Sequence, residues 1–423
     1  MTVIGLDDTD SRERGMCTTY VAATLAKQVR AAGGTVERRL LVRLNPGVEH
    51  KTRGNAALAL HTDLDPAEAL DLARDHLDLA ETADPRTNPG VVVAPGRLEA
   101  VPQRVADFSR AAVQDYHDID DAVDLAAAVG YETAHAGNGR GRIGALAAVG
   151  AWRAFDDWTD ECISYRERER WGTDRRVDVD SVFDAAETAY PDAWDTVDRA
   201  EGYPVCVPRT PCPILHGIRG DDRETVRSVA DAIEGEPVAD RVLFVTNQGT
   251  DAHLQRVDGF GAVAPDRAYR VDGTVVSDPE TREGGHVFST VESDDGERMA
   301  VAAFEPTKRF RDRLRALRPG DRVTVCGEVS DGTLKLEKIA VRDLVRTEPV
   351  SPDCPKCGRS MSSAGADQGY RCRDCGTDAP GKVDVPIERE IEPGWYEVPP
   401  CARRHVAKPL VRGGFDAPTH PER

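Results

Sequence analysis

Apolar and polar positions divide the chain into stretches of different period. Residues 2–6 (TVIGL) are an unbroken apolar run that predicts a short buried strand. After an acidic turn, Val21, Leu25 and Val29 recur every four residues and predict a helix over about 18–32, stopped by Gly33-Gly34. VERRLLVRL and NAALALHT read as strands around the loop NPGVEHKTRG. DPAEALDLARDHLDLA reads as an amphipathic helix, with Asp65 before Pro66 as its start signal. GVVVA is a further strand, and helical segments follow at about 101–129. This βαββαβ-like order predicts a first α/β domain over 1–130. A second α+β unit of ferredoxin type is expected over 131–250. It opens at HAGNGRGRIGALAAVG and carries the helix SVFDAAETAY, the strand CPILHGIRG, the helix DRETVRSVADAIE and the strand RVLFVTN.

From about 251 to 347 the period becomes 2. YRVDGTVVS, GHVFSTVE, RMAVAAFE, DRVTVCGEV and TLKLEKIAVRDL are five strands, with the helix KRFRDRLRAL between the third and fourth. That order predicts an OB-fold barrel, a frequent platform for single-stranded nucleic acid and tRNA. Phe288, Phe304 and Phe310 either stack on bases or fill the barrel, and Phe304, in an apolar run, reads as core. In 348–385, Cys354-x2-Cys357 and Cys372-x2-Cys375 stand 14 residues apart, each pair followed by a glycine. Four thiolates so spaced predict a closed, structural zinc ribbon. A Pro-rich tail occupies 386–423. The fold class expected is therefore multidomain α+β.

Charge changes the picture. The 423 residues carry a formal net charge of -19, with only 8 Lys against 47 Arg. Apolar content of 40% with clear periodicity excludes a disordered acidic chain and points to a surface suited to concentrated salt. At about 1 M salt the screening length is about 3 Å, so net acidity does not exclude RNA; local arginines and stacking would carry the contact. Ten cysteines, four in CxxC pairs and the rest scattered, suit a reducing cytoplasm. MTVIGLDDTD passes straight into a strand and an acidic turn and is not expected to be a targeting signal. No apolar run approaches the ~20 residues of a membrane span.

Against this acidic background, two segments are basic. Segment 38–53 holds Arg38, Arg39, Arg43, Lys51 and Arg53 against Glu49 alone, and Lys51 and Arg53 could grip phosphate. Segment 398–415 holds Arg403, Arg404, Lys408 and Arg412 and no acid. Its expected partner is backbone phosphate, the alternative being an acidic face of its own chain. HAGNGRGRIG offers Gly137, Gly139, Arg140 and Gly141 for close backbone approach to a phosphate, or is only a turn. Asp7, Asp8 and Asp10 directly follow the first strand, where carboxylates hold Mg²⁺ against nucleotide phosphates, or they form an Asx turn. Thr18, at a helix start, either meets a phosphate or, like Thr19, serves as a cap.

Taken in order, GLDDTDSRERGMCTTY, RLNPGVEHKTRGN, GNGRGRIGALAAVG, an OB barrel, a four-Cys ribbon and PPCARRHVAKPL resemble the archaeal tRNA(Ile) 2-agmatinylcytidine synthetases over nearly the whole chain. The resemblance implies an atypical kinase domain, a ferredoxin-like domain, an OB-fold and a zinc ribbon. It implies joining agmatine to C2 of the wobble cytidine of tRNA(Ile) with a CAU anticodon. ATP is consumed to AMP, a phosphorylated cytidine intermediate forms, and the product reads AUA. Asp7, Asp8 and Asp10 would serve ATP and Mg²⁺, and Lys51, Arg53 and Arg140 would neutralise phosphate. Thr18 would be the self-phosphorylated threonine. Asn55, Gly137, Gly139 and Gly141 would contact nucleotide or agmatine. SRERG and Arg142 depart from the family pattern. Two other readings are a non-catalytic single-strand binder built on barrel and ribbon, and a metal-dependent nucleotide hydrolase. A mere binder has no need of DDTD, KTRGN and GNGRGRIG together.

Overall fold

The two N-terminal units share one sheet in the computed structural model, which describes residues 1–49, 51, 54–97 and 100–423. Its strands are β1 (Thr2–Asp7), β2 (Val36–Arg43), β3 (Ala56–Thr62), β4 (Gly90–Pro95), β5 (Glu132–His135), β6 (Thr159–Arg166), β7 (Ala193–Trp194), β8 (Ile214–Gly220) and β9 (Val238–Thr246). They lie in the order β5-β4-β1-β3-β2-β9-β6-β8-β7. Neighbours run antiparallel except at the seam, where β2 meets β9 in parallel through Leu40–Val245 and Leu41–Thr246. Alternation along β1 sends Val3 to one core, and Ile4 and Leu6 to the other, so both faces need helices. α1 (Thr18–Ala31) and α2 (Pro66–His76) cover the Ile4 face; α3 (Gln103–Gln114), α4 (Ile119–Ala128) and α5 (Gly141–Ala154) cover the Val3 face. The Asp65 carboxylate accepts from Ala67 N at 2.9 Å, capping α2 as its sequence predicts. α6 (Val179–Ala189) and α7 (Arg223–Ala232) pack on the face of β6 and β8 that carries Cys162 and Ile218.

The expected boundary near 130 is not a packing boundary. β5 pairs with β4, and α5 lies on β1, β3, β4 and α3. The small residues of ALAAVGA let α5 lie flat, and Gly5 makes room, because a Cβ there would strike the Ala145 carbonyl. The first layer therefore continues to Ala154.

Beyond β10 (Leu254–Arg256), five strands close a barrel: β11 (Arg267–Val275), β13 (Val287–Ser293), β14 (Arg298–Ala303), β15 (Arg322–Ser330) and β16 (Thr333–Asp343). The short β12 (Glu280–Thr281) pairs with β13. Pairing runs β11-β13-β14-β16-β15 and back to β11, and only β14–β16 is parallel. α8 (Phe310–Arg315) falls between the third and fourth barrel strands and plugs the interior with Phe310 and Leu314. Phe288 and Phe304 are half-buried and meet edge-to-face at 5.9 Å, so Phe304 is less enclosed than its apolar run suggests. β17 (Thr347–Val350) and β21 (Val383–Pro386) pair at the base of the ribbon, which holds β18 (Ser362–Ser363), β19 (Tyr370–Arg371) and β20 (Asp378–Ala379). Among the described residues no helix is long and apolar enough to cross a membrane.

The C-terminal segment is not a free basic tail. β22 (Gly394–Glu397) adds to β16, and β23 (Thr419–His420) adds to β22. Buried Arg403 pairs with Asp195 and, at 2.8 Å, with Glu397. Arg404 pairs with Glu328 at 2.5 Å, and Arg412 with Asp221 at 2.6 Å and Asp157 at 3.2 Å. Lys408 lies over the Phe415 ring. Acids of its own chain take the three arginines, so the segment fastens barrel to sheet.

Candidate active site

A cavity of about 1370 Å³ opens over the seam. That exceeds the ~300–1,000 Å³ of a site for one small molecule. It gathers Asp7, Asp8, Asp10, Thr18, Lys51, Asn55, Arg140 and Gly141 from four separate segments.

β1 delivers the acidic group. Its last residue, Asp7, accepts from Asp8 N through Oδ1 at 2.6 Å. Asp8 turns the chain with φ +58, a conformation Asp tolerates. Asp8 Oδ2 accepts from Arg140 Nη2 at 2.8 Å and from Asn88 N at 3.1 Å. Burial, then the neighbouring Asp8 charge, push the Asp7 carboxyl well above its usual range. Burial also raises Asp8, against the opposing pull of Arg140. Buried Asp8 and half-buried Asp7 thus have one guanidinium near them, bonded to Asp8, and a cation would offset the remaining charge. The three aspartates do not themselves converge into a cage: among the described residues, groups of three or more potential ligands occur only at the four ribbon cysteines and at Asp251, His253 and Glu337. Mg²⁺ commonly takes only one or two carboxylates beside phosphate and water, which these residues fit.

α1 delivers the hydroxyl. Thr18 is its first residue and accepts from the Thr9 hydroxyl at 3.1 Å. Cys17, the N-cap, makes no side-chain cap. Among the described residues the Thr18 and Thr19 amides find no acceptor. They face a helix start whose dipole favours an anion.

Lys51 Nζ donates to Pro46 O at 2.5 Å and Val48 O at 3.1 Å, and burial lowers its pKa. Asn55, at φ +46, donates through Nδ2 to Asn45 O. Arg53 lies outside the described residues.

The glycine-rich loop works differently from the backbone cradle its sequence suggests. Its amides from Asn138 to Gly141 are already taken. Asn138 N donates to Asn88 Oδ1, Gly139 N to Ala136 O, Arg140 N to Asn138 Oδ1, and Gly141 N to Asn88 O. Gly137 and Gly139, at φ +61 and +73, shape the turn and do not line the cavity. Gly141 and Gly144 instead let α5 press against Asp7: a Cβ on Gly144 would lie 2.7 Å from the Asp7 Cγ. Arg142 folds back onto Gly139 O. The loop contributes the Arg140 side chain and the room for Asp7.

The second half of the wall was not foreseen. Glu161, buried on β6, accepts from Gln248 Nε2 at 2.6 Å; Gln248 Oε1 in turn accepts from Arg43 Nε at 3.1 Å. Gly217 leaves space beside the Glu161 carboxylate, since a Cβ there would sit 2.6 Å from Oε1. Arg219 and His405 also line the cavity. His405 is exposed to solvent there, and desolvation by the cavity walls, then the charges of Arg43 and Arg219, lower its pKa. In the ribbon, Cys354–Cys375, Cys357–Cys372 and Cys357–Cys375 sulfurs lie 3.4, 3.5 and 3.9 Å apart. A tetrahedron of ~2.3 Å Zn–S bonds needs about 3.8 Å, so these four cysteines fit zinc.

Residues 3–64 match the family described as the TiaS TCKD domain, 139–253 the TiaS FLD domain, and 351–391 the TiaS C-terminal zinc ribbon domain. The chain is 54% identical to the isoleucine-tRNA 2-agmatinylcytidine synthetase TiaS of Haloquadratum walsbyi, with all of both chains covered. It is similar to the solved complex of TiaS with its isoleucine tRNA and ATP at TM-score 0.89 and 41% identity, covering all of this chain and 99% of that one. It is also similar to a complex of TiaS with the same tRNA, AMPCPP and agmatine at TM-score 0.87 and 38% identity, with the same coverage.

Proposed function

This chain belongs to the isoleucine-tRNA 2-agmatinylcytidine synthetase family, and from that membership we propose how its cavity works. The chain joins agmatine to its isoleucine tRNA at the expense of ATP. The target is C2 of the wobble cytidine in a CAU anticodon, and the product reads AUA. The C2 oxygen is a poor leaving group, so ATP first phosphorylates it; the agmatine amine then attacks C2, the C2–O bond breaks and phosphate departs. ATP ends as AMP. We infer kinase-like and ferredoxin-like character for the units expected at 1–130 and 131–250. The five-stranded barrel we read as an RNA-binding OB-fold.

One observation carries the reading: half-buried Asp7, the last residue of β1, and buried Asp8 line the cavity beside the open helix start at Thr18. Mg²⁺ bound there would neutralise phosphate charge in transfer. Asp7 and Asp8 would hold it, Arg140 would orient Asp8, and Lys51 would face the phosphates. Thr18 takes a phosphoryl group from ATP. Glu161, the buried acid across the cavity, is suited to the agmatine cation, and Gln248 fixes its orientation.

The test incubates the protein with labelled agmatine, ATP and an unmodified tRNA(Ile) transcript in concentrated KCl. Digests should show agmatine on cytidine only when all three are present. An unchanged nucleoside pattern from folded, zinc-loaded protein refutes the reading. Thr18→Ala should abolish self-labelling from ATP; full labelling would move the acceptor to Thr19.

A further inference from the structure

Two aromatic loops reach the rim of the cavity, and each is held by an arginine of the barrel. Tyr116 lies between α3 and α4 and is 55% exposed; Val179 and Val383 are the other exposed large hydrophobics among the described residues. Its ring makes no ring or cation contact within the described chain, yet its backbone is firmly set. Asp115 Oδ1 accepts from Tyr116 N at 2.7 Å and from Arg267 Nε of β11 at 2.6 Å. His117 packs on Phe108 at 4.4 Å, and Asp118 and Asp121 form a capping box for α4. Tyr203, on the other loop, exchanges backbone hydrogen bonds with Asp198. Asp198 pairs with Arg309, just ahead of α8, at 3.1 Å. The Arg209 guanidinium lies 4.0 Å over the Tyr203 ring, and its Nε donates to the phenol oxygen. Tyr116, Tyr203 and Arg209 all line the cavity.

An exposed ring on a firmly set backbone, or a half-buried ring held by a guanidinium, is a prepared stacking surface beside a cavity. The charge around Tyr116 argues against a phosphate contact, since Asp115, Asp118, Asp120 and Asp121 are its neighbours. A base face carries no such penalty. Stacking also survives concentrated salt, where phosphate contacts are screened. A base that enters a cavity must leave its stack, and its neighbours lose a partner with it. We propose that Tyr116 and the Tyr203–Arg209 pair stack on the unpaired bases flanking the cytidine that enters the cavity, with Arg267 and Arg309 of the barrel setting their positions. This rests on the reading above and adds how the RNA is held.

The experiment uses the full zinc-loaded protein and transcripts of tRNA(Ile) carrying an abasic site on the 5′ or the 3′ side of the target cytidine. Tyr116→Ala, Tyr203→Ala, Tyr116→Phe and Tyr203→Phe are compared for Tm, for KM of the RNA and for kcat of agmatine transfer, in dilute and in concentrated KCl. Each Ala variant should raise KM about tenfold, equivalent to about 1.4 kcal/mol, with Tm held and kcat within about twofold. The loss should be as large in concentrated salt, and the Phe variants should restore binding. One abasic transcript should mimic each Ala variant, and combining the two should cost no more than either alone. Additive losses, a loss that vanishes in concentrated salt, or an unchanged KM overturns the proposal. Wild-type protein that attaches no agmatine to the intact transcript overturns the underlying reading instead.

Discussion

Gly144→Ala should inactivate this enzyme while barely changing its stability. Gly144 lies on the face of α5 that touches the end of β1. An added methyl group would overlap the Asp7 Oδ2 and stand 2.7 Å from Cγ, about 0.7 Å inside ordinary contact. Two effects on stability oppose each other. Alanine favours a helix interior over glycine by about 1 kcal/mol. Overpacking costs about 1–3 kcal/mol. The net is a loss of about 0–2 kcal/mol, a small shift in Tm. The reaction feels something else: Asp7 must move by most of an ångström, and a displacement of about 1 Å at a reacting centre costs about 100-fold. Gly150→Ala is the control on the same helix. Its methyl would press on Val105 O and the Ser109 hydroxyl, away from the carboxylates, so it should lower Tm and keep activity. The assay is transfer of labelled agmatine to tRNA at saturating substrates, beside thermal unfolding. Activity of Gly144→Ala within threefold of wild type, with the fold intact, would show that the place of Asp7 does not matter.

Arg403→Ala leaves Asp195 and Glu397 buried with less compensation, at a cost of about 3–5 kcal/mol; a loss under about 1 kcal/mol in urea unfolding would mean the C-terminal segment does not fasten barrel to sheet. Burial pushes the Glu337 carboxyl up, but the facing His253 and then Lys338 together hold it at about 2, below its ordinary 4.5. Its contribution to stability is therefore whole above pH 4.5 and lost as pH falls towards 2; Glu337→Gln should flatten that part of the stability profile, and an unchanged profile would remove the pair from the acid response. Chelation, or Cys372→Ser, should release one zinc per chain and unfold the ribbon, while the sheet and barrel keep their own melting transition; loss of all tertiary structure at once would contradict the separate ribbon core of Cys354, Met361 and Cys372.

What could be read from the sequence follows the range of the interactions involved. The helix from Thr18, the Asp65 cap, the five barrel strands and the paired cysteines all depend on neighbours a few residues away, and pattern alone finds them. β6 escaped because its alternation mixes polarity on both faces. Thr159, Glu161, Ile163 and Tyr165 share one face; Asp160, Cys162, Ser164 and Arg166 share the other. One face lines a cavity and the other buries the Arg166–Glu236 pair at 2.6 Å, so neither reads as apolar. The glycine loop misled for a related reason. Two of its amides, Asn138 and Gly141, are satisfied by Asn88, about 50 residues away, and no local spacing announces that partner. The arginines of 398–415 likewise find acids more than 70 residues away, apart from the Arg403 contact with Glu397.

The seam between β2 and β9 explains why the cavity lies where it does. Only two residue pairs join the strands there. Just beyond, Asn247 Oδ1 accepts from Arg43 N, and Gln248 ties Arg43 to Glu161. These side chains continue the connection that backbone pairing has abandoned, and so open polar groups into the gap. The same segment runs on to Asp251, whose carboxylate accepts from Lys338 on β16 and from the Lys408 amide. Gly249 and Thr250 donate to His405 and Val406 carbonyls of the C-terminal segment. A displacement of the barrel therefore bears directly on Gln248, and through it on Arg43 and Glu161 at the cavity wall. A movement of the barrel needs no long pathway to the cavity, because six residues, 246–251, run from the end of β9 to Asp251, which Lys338 of β16 holds, and Gln248 among them touches Arg43 and Glu161 of the cavity wall.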